Sequence, residues 1–141
     1  MTDGSDFVDR TVMFPPRVLV IEDDKDVSAL LERHFHERGC PVAVAYSGEE
    51  GLRLAFADPP DIAVVDVLLL GIDGREVVRR LREDKRTRGC RLVVSSVLGP
   101  EDLIGLADEV LAKPFRQSAV ARLVDSYRNS LSQESHESQE E

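Results

Sequence analysis

Five short apolar runs, rich in valine and isoleucine, alternate along this sequence with segments of helical periodicity. They span residues 17–21, 42–46, 62–65, 92–94 and 110–112. Each run has the length of a strand and is too continuously apolar to face water on one side, which is typical of strands inside a parallel sheet. Because a strand–helix unit repeated five times covers both faces of such a sheet, we predict a doubly wound α/β fold.

Helices are predicted between these strands from apolar spacing and from the residues that flank them. The predicted helices are centred on residues 27–35, 52–56, 77–81, 101–106 and 120–127. Asp24 or Asp26 is expected to cap the first helix, and Asp73 is expected to open the third. Ser47 and Glu50 form a capping pattern at the start of the second helix.

A chain of 141 residues has room for one domain of ordinary size. We expect residues 1–16 to be an N-terminal extension, residues 17–129 to form the folded domain, and residues 130–141 to be an unfolded acidic tail. The tail contains a single leucine among polar and acidic residues, which is too little apolar surface to build a core.

The net charge of −9 is concentrated at the two ends of the chain. Residues 1–16 carry −2 and residues 130–141 carry −4, which leaves −3 for the domain between them. Proteins that bind nucleic acid nonspecifically use an excess of cationic side chains to neutralise phosphates. DNA or RNA is therefore not the expected partner.

Neither a targeting signal nor a membrane segment is expected. The first 16 residues lack a basic stretch with a long apolar run, and the longest apolar stretch, residues 62–70, is too short to cross a bilayer. We therefore expect a cytoplasmic protein. Cys40 and Cys90 lack metal-binding spacing and are expected to remain free thiols, and the three histidines are expected at the surface or its edges.

Polar and charged residues stand at the ends of four of the five predicted strands. They are Glu22, Asp23 and Asp24 after the first strand, Asp66 after the third, Ser95 and Ser96 after the fourth, and Lys113 after the fifth. Ligands of open parallel sheets bind at the carboxyl ends of the strands, so these side chains are expected to meet at one edge. Clustered carboxylates repel one another, and Mg²⁺, which prefers oxygen ligands, would relieve that repulsion.

This combination of charges suits the handling of a phosphoryl group. Glu22, Asp23 and Asp66 together carry −3, and Mg²⁺ with Lys113 supplies +3, so the resting site would be neutral. A carboxylate nucleophile can form an aspartyl phosphate, which metal and ammonium ions stabilise. Asp66 is the candidate nucleophile, because an acid that ends an apolar run has no packing rationale.

Three stretches of the sequence carry motifs at these strand ends. They are RVLVIEDD at residues 17–24, DIAVVDVLLLGIDG at residues 61–74, and ADEVLAKPF at residues 107–115. Together they resemble the receiver domains of bacterial two-component response regulators, and the resemblance extends over about residues 17–128. It implies the flavodoxin-like receiver fold, a five-stranded parallel sheet in the order 2-1-3-4-5.

The resemblance also implies a role for each residue at the predicted edge. It implies that Asp66 is the phosphorylated residue and that Glu22 and Asp23, together with Asp66, hold Mg²⁺. The main-chain carbonyl of Leu68 would complete the protein ligands. Lys113 would contact the phosphoryl group.

The same resemblance implies a hydroxyl residue at the end of the fourth strand and a cis peptide bond before Pro114. Ser95 and Ser96 both qualify for the hydroxyl position. Ser95 is preferred, because it leaves the small residue Ser96 at the next position, whereas choosing Ser96 would put the bulky Val97 there.

A receiver of this kind accepts a phosphoryl group from a sensor histidine kinase or a phosphotransfer protein and is not itself an enzyme. Few residues follow the last predicted helix. We therefore expect a stand-alone receiver that signals by binding a downstream protein, without contacts to nucleic acid or membrane.

Three features depart from the family pattern. Leu70 stands where proline is usual, and Val110 stands where an aromatic residue or histidine is usual. The segment between Ser95 and Lys113 is several residues shorter than in typical members, so its helix must be short. Because valine has no ring that can swing between two positions, a switch would need another element, and the helix at residues 101–106 is the candidate.

Two enzyme-like alternatives lack the residues that carry their chemistry. Phosphatases with an aspartyl nucleophile place a second Asp two residues further on, where this chain has Leu68. Dinucleotide-binding domains need a glycine-rich turn where this chain has residues 22–24. The remaining alternative is a receiver-like interaction module that works without phosphorylation, which the valine at position 110 favours.

Basic residues cluster between the third predicted helix and the fourth strand. They are Arg75, Arg79, Arg80, Arg82, Lys85, Arg86, Arg88 and Arg91. Cations near a helix C-terminus interact favourably with the helix dipole. We therefore interpret the cluster as a solvated helix face in preference to a docking patch.

Overall fold

The computed structural model describes residues 15–97 and 105–140, with side chains as far as residue 131. Five strands lie in these ranges: β1 (Val18–Ile21), β2 (Val42–Ala45), β3 (Ile62–Asp66), β4 (Arg91–Ser96) and β5 (Glu109–Ala112). Four helices lie in the same ranges: α1 (Lys25–Glu37), α2 (Gly48–Ala57), α3 (Gly74–Glu83) and α4 (Gln117–Glu140). The predicted alternation of strands and helices is confirmed within these ranges.

The five strands form one parallel sheet in the order β2-β1-β3-β4-β5. Val20 of β1 lies opposite Val44 of β2 and Val64 of β3, and Asp66 at the end of β3 lies opposite Ser95 of β4. The predicted strand order is confirmed. Since all strands run in the same direction, their carboxyl ends meet at one edge of the sheet.

Alternating strand side chains build two apolar layers, one on each face of the sheet. On one face, Val65 packs in a cluster with Leu81 of α3 and with residues of α2. On the other, Val64 packs in a cluster with Phe35 of α1 and Val124 of α4. Each fully buried aliphatic side chain of this kind contributes about 1.5–3 kcal/mol. The sheet is therefore held between two helical layers, and only its edges and strand ends meet solvent.

Capping residues fix where the helices begin after the strands. The Asp24 carboxylate accepts hydrogen bonds from the amides of Asp26 and Val27 at the start of α1. The Ser47 hydroxyl accepts one from the Glu50 amide at the start of α2. Side-chain acceptors at these positions satisfy amides that have no partner within the helix, so Asp24 is the cap and Asp26 is not.

The C-terminal helix is longer than the sequence analysis predicts. We expected residues 130–141 to be unfolded, whereas α4 continues to Glu140. No proline or glycine interrupts the chain after residue 117, and glutamate and glutamine are good helix formers, so the backbone has no reason to leave the helix. Although α4 has 24 residues, neither it nor any other described helix is long and apolar enough to cross a membrane.

Two expectations fall on parts of the chain outside the described residues. The N-terminal extension, residues 1–16, is described only at its last two positions. The short helix expected at residues 101–106 is described only at Gly105 and Leu106, which form a turn with Gly105 at φ +84°.

His34 is buried, although the sequence predicts all three histidines at the surface or its edges. His34 is only 7% exposed, and its ring makes a T-shaped contact with the ring of Phe115, with 6.3 Å between the ring centroids. His34 lies on the apolar stripe of α1 near Phe35, so the helical spacing, and not the polarity of imidazole, determines its burial.

Both cysteines are free, as predicted, and both are buried. Burial raises the pKa of the Cys40 thiol and, together with the nearby charge of Asp61, raises the pKa of Cys90 to about 11. The thiolate is the reactive form, so we expect alkylation of the native protein to be at least about tenfold slower than that of the unfolded chain. Thiol counting without reductant should find two thiols after unfolding; finding none in the monomer would contradict the strand order.

Candidate functional site

Strand alternation delivers four polar side chains to the same side of the sheet edge. Each of the four follows, by two positions, a strand residue that packs in the layer containing α1 and α4. The pairs are Val20 and Glu22, Val64 and Asp66, Val93 and Ser95, and Leu111 and Lys113. Side chains two positions apart on a strand point to the same face. The four groups therefore converge at the carboxyl edge, as the sequence predicts.

Three carboxylates form the centre of this site. Glu22, Asp23 and Asp66 each offer an oxygen, and these oxygens lie within 4.8 Å of one another. Glu22 and Asp66 are only 1% and 6% exposed, and Asp23 is half-buried. Carboxylates that are this close together and this well buried from solvent raise the free energy of the fold unless a cation neutralises them.

Lys113 supplies one cation to this cluster. Its Nζ lies 3.0 Å from Glu22 Oε1 and 3.5 Å from Asp66 Oδ1. Its main-chain amide donates to the carbonyl of Ser96, which anchors the residue to the end of β4. The peptide bond between Lys113 and Pro114 is cis, as the resemblance implies.

The protonation equilibria of this cluster reflect its burial. Burial raises the pKa of Glu22 to about 7, even though hydrogen bonds from Lys113 and the Asp24 amide oppose this shift. Burial would lower the pKa of Lys113, but its hydrogen bond to Glu22 and the charge of Asp66 leave the pKa above its usual value. One ammonium therefore does not fully compensate three carboxylates, and the site has capacity for a further cation.

The Ser95 hydroxyl faces this cluster and has no hydrogen-bond partner among the described residues. Ser95 is 1% exposed, it lies opposite Asp66 in the register of β3 and β4, and its Oγ is buried without a partner. Ser96 is the next residue of the same strand and so points to the opposite face. A buried hydroxyl without a partner costs free energy, which makes Ser95 Oγ an available hydrogen-bond donor.

The loop between β3 and α3 is tied to the carboxylates by its own amides. The Leu68 amide donates to Asp66 Oδ1 at 3.1 Å, and the Leu70 amide donates to Asp23 Oδ2 at 3.2 Å. The bond from Leu70 uses an N–H that proline, the usual residue there, does not have. The side chains of Leu68, Leu70 and Val97 are 58%, 80% and 66% exposed and form an apolar rim beside the acidic cleft.

Gly74, the first residue of α3, packs directly against the backbone of Asp66. A Cβ added at Gly74 would lie 2.1 Å from the Asp66 carbonyl oxygen and 2.8 Å from Val67 Cα. The Asp73 carboxylate caps this helix by accepting from the Arg75 amide. Glycine at position 74 thus permits the close approach of α3 that positions Asp66.

Val110 lies away from the acidic cleft. It is half-buried and packs against the layer formed with α2 and α3. A β-branched side chain has few rotamers to exchange, so this position offers no aromatic switch.

A family model described as the response regulator receiver domain matches residues 18–125. The transcriptional regulatory protein AfsQ1 of Streptomyces coelicolor is 39% identical over 106 residues, which is 72% of this chain and 46% of that protein. The chain thus spans less than half the length of this curated relative.

Solved structures of similar proteins share the fold. A putative response regulator from Chloroflexus aurantiacus has a TM-score of 0.75 and 30% identity over 82% of this chain and 98% of its own. The response regulator TrrA of Thermotoga maritima, solved in complex with Mg²⁺ and beryllofluoride, has a TM-score of 0.71 and 25% identity, covering 79% of this chain and 97% of that one. With its sheet order, its acidic edge and these matches, the chain belongs to the response regulator receiver domain family.

Proposed function

We propose that this receiver accepts a phosphoryl group on Asp66 from a histidine kinase or a phosphotransfer protein. The observation that supports this most strongly is the position of a buried Asp66 carboxylate among Glu22, Asp23 and Lys113. The experiment that tests it is transfer from a small phosphodonor in the presence of Mg²⁺, with Asp66→Asn as the control.

The residues present fit a Mg²⁺ ion. Glu22, Asp23 and Asp66 would hold it through carboxylate oxygens, with the carbonyl of Leu68 as a fourth protein ligand, and their hard oxygen atoms suit this cation. When bound, Mg²⁺ supplies charge neutralisation for the phosphoryl oxygens.

The chain's own residues account for the rest of the chemistry. A carboxylate oxygen of Asp66 forms the bond to phosphorus while the bond from phosphorus to the donor histidine nitrogen breaks, and the imidazole keeps the electron pair and takes up a proton. Lys113 Nζ, 3.5 Å from Asp66 Oδ1, is close enough to contact a phosphoryl oxygen. Ser95 Oγ gains in the phosphorylated protein the partner that it otherwise lacks.

The output of this receiver is proposed to be contact with a protein. We propose cytoplasmic signalling in which the receiver itself binds its target, does no catalysis on other substrates and does not contact DNA or RNA. The net charge of −9 supports a protein target over nucleic acid, because phosphates repel an acidic surface.

A second function is an interaction module that works without phosphorylation. The half-buried Val110, which cannot rotate like an aromatic ring, favours it. Hydrogen exchange on the resting and the beryllofluoride-treated protein separates the two: altered protection beyond the acidic edge supports a phosphorylation switch, and unchanged protection supports the module.

We expect the acyl phosphate to be long-lived. The exposed side chains beside it, Leu68 and Val97, are apolar and cannot position an attacking water. Leu68→Asn should accelerate loss of the phosphoryl group by about tenfold or more, since a positioned polar group contributes ~10²–10⁴ in such steps. The control is Leu70→Asn, the same change two residues further along the loop; an unchanged rate for Leu68→Asn, or equal acceleration in both variants, would contradict the prediction.

A further inference from the structure

A polar cavity of about 230 Å³ lies at the amino-terminal edge of β4 and β5, at the other end of the strands from Asp66. Three arginines, Arg82, Arg88 and Arg91, line it together with Asp108. Gly89, Cys90 and residues 127, 130 and 131 of α4 form the rest of its wall. We propose that this cavity binds an oxyanion, that is, a carboxylate or phosphate group.

Asp108 holds the first of the three guanidinium groups in place. Its Oδ1 accepts from Nη2 of Arg82 at 2.9 Å, and its Oδ2 accepts from the Leu92 amide at 2.8 Å. With both oxygens engaged, Asp108 orients Arg82. This contact uses one of the five N–H groups of the guanidinium, which leaves donors for a further acceptor.

A second carboxylate holds Arg91 at the start of β4. Glu109 Oε2 accepts from Arg91 Nε at 3.0 Å and forms an ion pair with Arg91 Nη2 at 2.9 Å, while Nη2 donates to Ser126 Oγ at 3.1 Å. The side chains of Arg91 and Glu109 are only 25% and 28% exposed, so solvent screens this pair less than an open surface pair. The cavity thus has two pre-oriented guanidinium groups.

Arg88 brings the charge that this pairing does not neutralise. It is exposed, and no carboxylate among the described residues forms an ion pair with it. Three guanidinium groups therefore face two carboxylates, Asp108 and Glu109. The excess positive charge favours an anion, although the whole chain carries −9.

This arrangement separates Arg88 from the rest of the basic cluster. Arg79 and Arg80 pair with Glu76 on the surface of α3, as a solvated helix face predicts. Arg88 lies beyond the end of that helix and lines a concave site. The helix-face interpretation therefore explains part of the cluster and leaves the cavity unexplained.

The size of the cavity restricts what it can take. It is smaller than the roughly 300–1,000 Å³ of pockets for drug-sized ligands, and far larger than the space of one water molecule. Guanidinium groups match carboxylate and phosphate oxygens in geometry. The cavity therefore suits one anionic group, either of a small anion or of an acidic side chain on a partner protein.

The test is an NMR titration of the full chain, without Mg²⁺ and at constant ionic strength, with inorganic phosphate and separately with a glutamate-rich peptide. We expect the amide signals of residues 88–91 to shift with at least one of the two probes. Arg88→Ala should raise the Kd by about tenfold, the value for one charge-assisted hydrogen bond. A response to phosphate alone assigns a small anion or phosphate group, and a response to the peptide assigns an acidic protein partner.

The matched control is Arg75→Ala, which removes an exposed arginine of the same cluster outside the cavity. It should leave the Kd unchanged, and Arg88→Lys, which keeps the charge without the planar fork, should have an intermediate Kd. Thermal unfolding without anion checks that each variant folds. No shift with either probe, or equal weakening by Arg75→Ala and Arg88→Ala, would overturn the proposal.

Discussion

Incubated with Mg²⁺ and a small phosphodonor such as acetyl phosphate, the protein is expected to gain about 80 Da, the mass of one phosphoryl group. The gain should disappear in Asp66→Asn and after chelation of the metal. Asparagine keeps the shape of the side chain and removes the nucleophilic carboxylate, so the loss would reflect chemistry and not folding. Intact-mass spectrometry measures this directly.

Asp26→Asn is the matched control for that experiment. Asp26 is an exposed carboxylate close in sequence to the acidic edge, and its side chain does not cap α1. The Asp26→Asn variant should gain the same mass as the protein without a substitution. Labelling that survives Asp66→Asn would show that another residue accepts the phosphoryl group.

Gly74→Ala is expected to destabilise the fold more than an ordinary glycine-to-alanine change. The new Cβ would lie 2.1 Å from the Asp66 carbonyl oxygen, and backbone atoms cannot rotate away as a side chain does. Alanine ordinarily stabilises a helix by ~1 kcal/mol relative to glycine. Here we expect the opposite: the clash of the new Cβ should lower the free energy of unfolding by about 3 kcal/mol or more.

Gly89→Ala is the control, because a Cβ at Gly89 would have no atom within 4 Å. Its effect should stay within about 0.5 kcal/mol. Urea unfolding of the two variants gives both values. If the Gly74→Ala variant proved as stable as the Gly89→Ala variant, this would contradict the close packing of α3 against the backbone of Asp66.

The sheet and its acidic edge were predictable because each rests on a local pattern. Buried parallel strands read as continuous apolar runs, and the residues that follow them must lie at the carboxyl edge whatever the details of packing. The convergence of Glu22, Asp66 and Lys113 required only the strand ends and their direction. The strand order was predicted from the resemblance, and the order of strands in the sheet confirms it.

The choice between Ser95 and Ser96 needed the pairing of two strands. Both serines end β4 and both are buried, and in the sequence only the size of the following residue separates them. The register places Ser95 opposite Asp66, and strand alternation turns Ser96 to the other face. The preference for Ser95 thus has independent geometric support, and its role remains part of the proposal.

The hydrogen bond from the Leu70 amide to Asp23 could not be found from the sequence. This hydrogen bond joins a backbone amide to a side chain 47 residues away in the sequence. The identity of leucine does not indicate that its amide forms such a bond. The only signal was negative: the usual proline is missing at this position. The cavity that three arginines and Asp108 line could not be found from the sequence either, because it depends on how α3, β4 and α4 pack together.

The most direct test of the phosphoacceptor is to locate the phosphoryl group on the chain. Borohydride reduces an acyl phosphate to an alcohol, so a phosphorylated aspartate becomes homoserine, which tandem mass spectrometry of the peptides identifies. We predict homoserine at position 66 after treatment with phosphodonor and Mg²⁺, and at none of the other aspartates. Homoserine at Asp23 or Asp24 with position 66 unmodified, or no modification under these conditions, would contradict it.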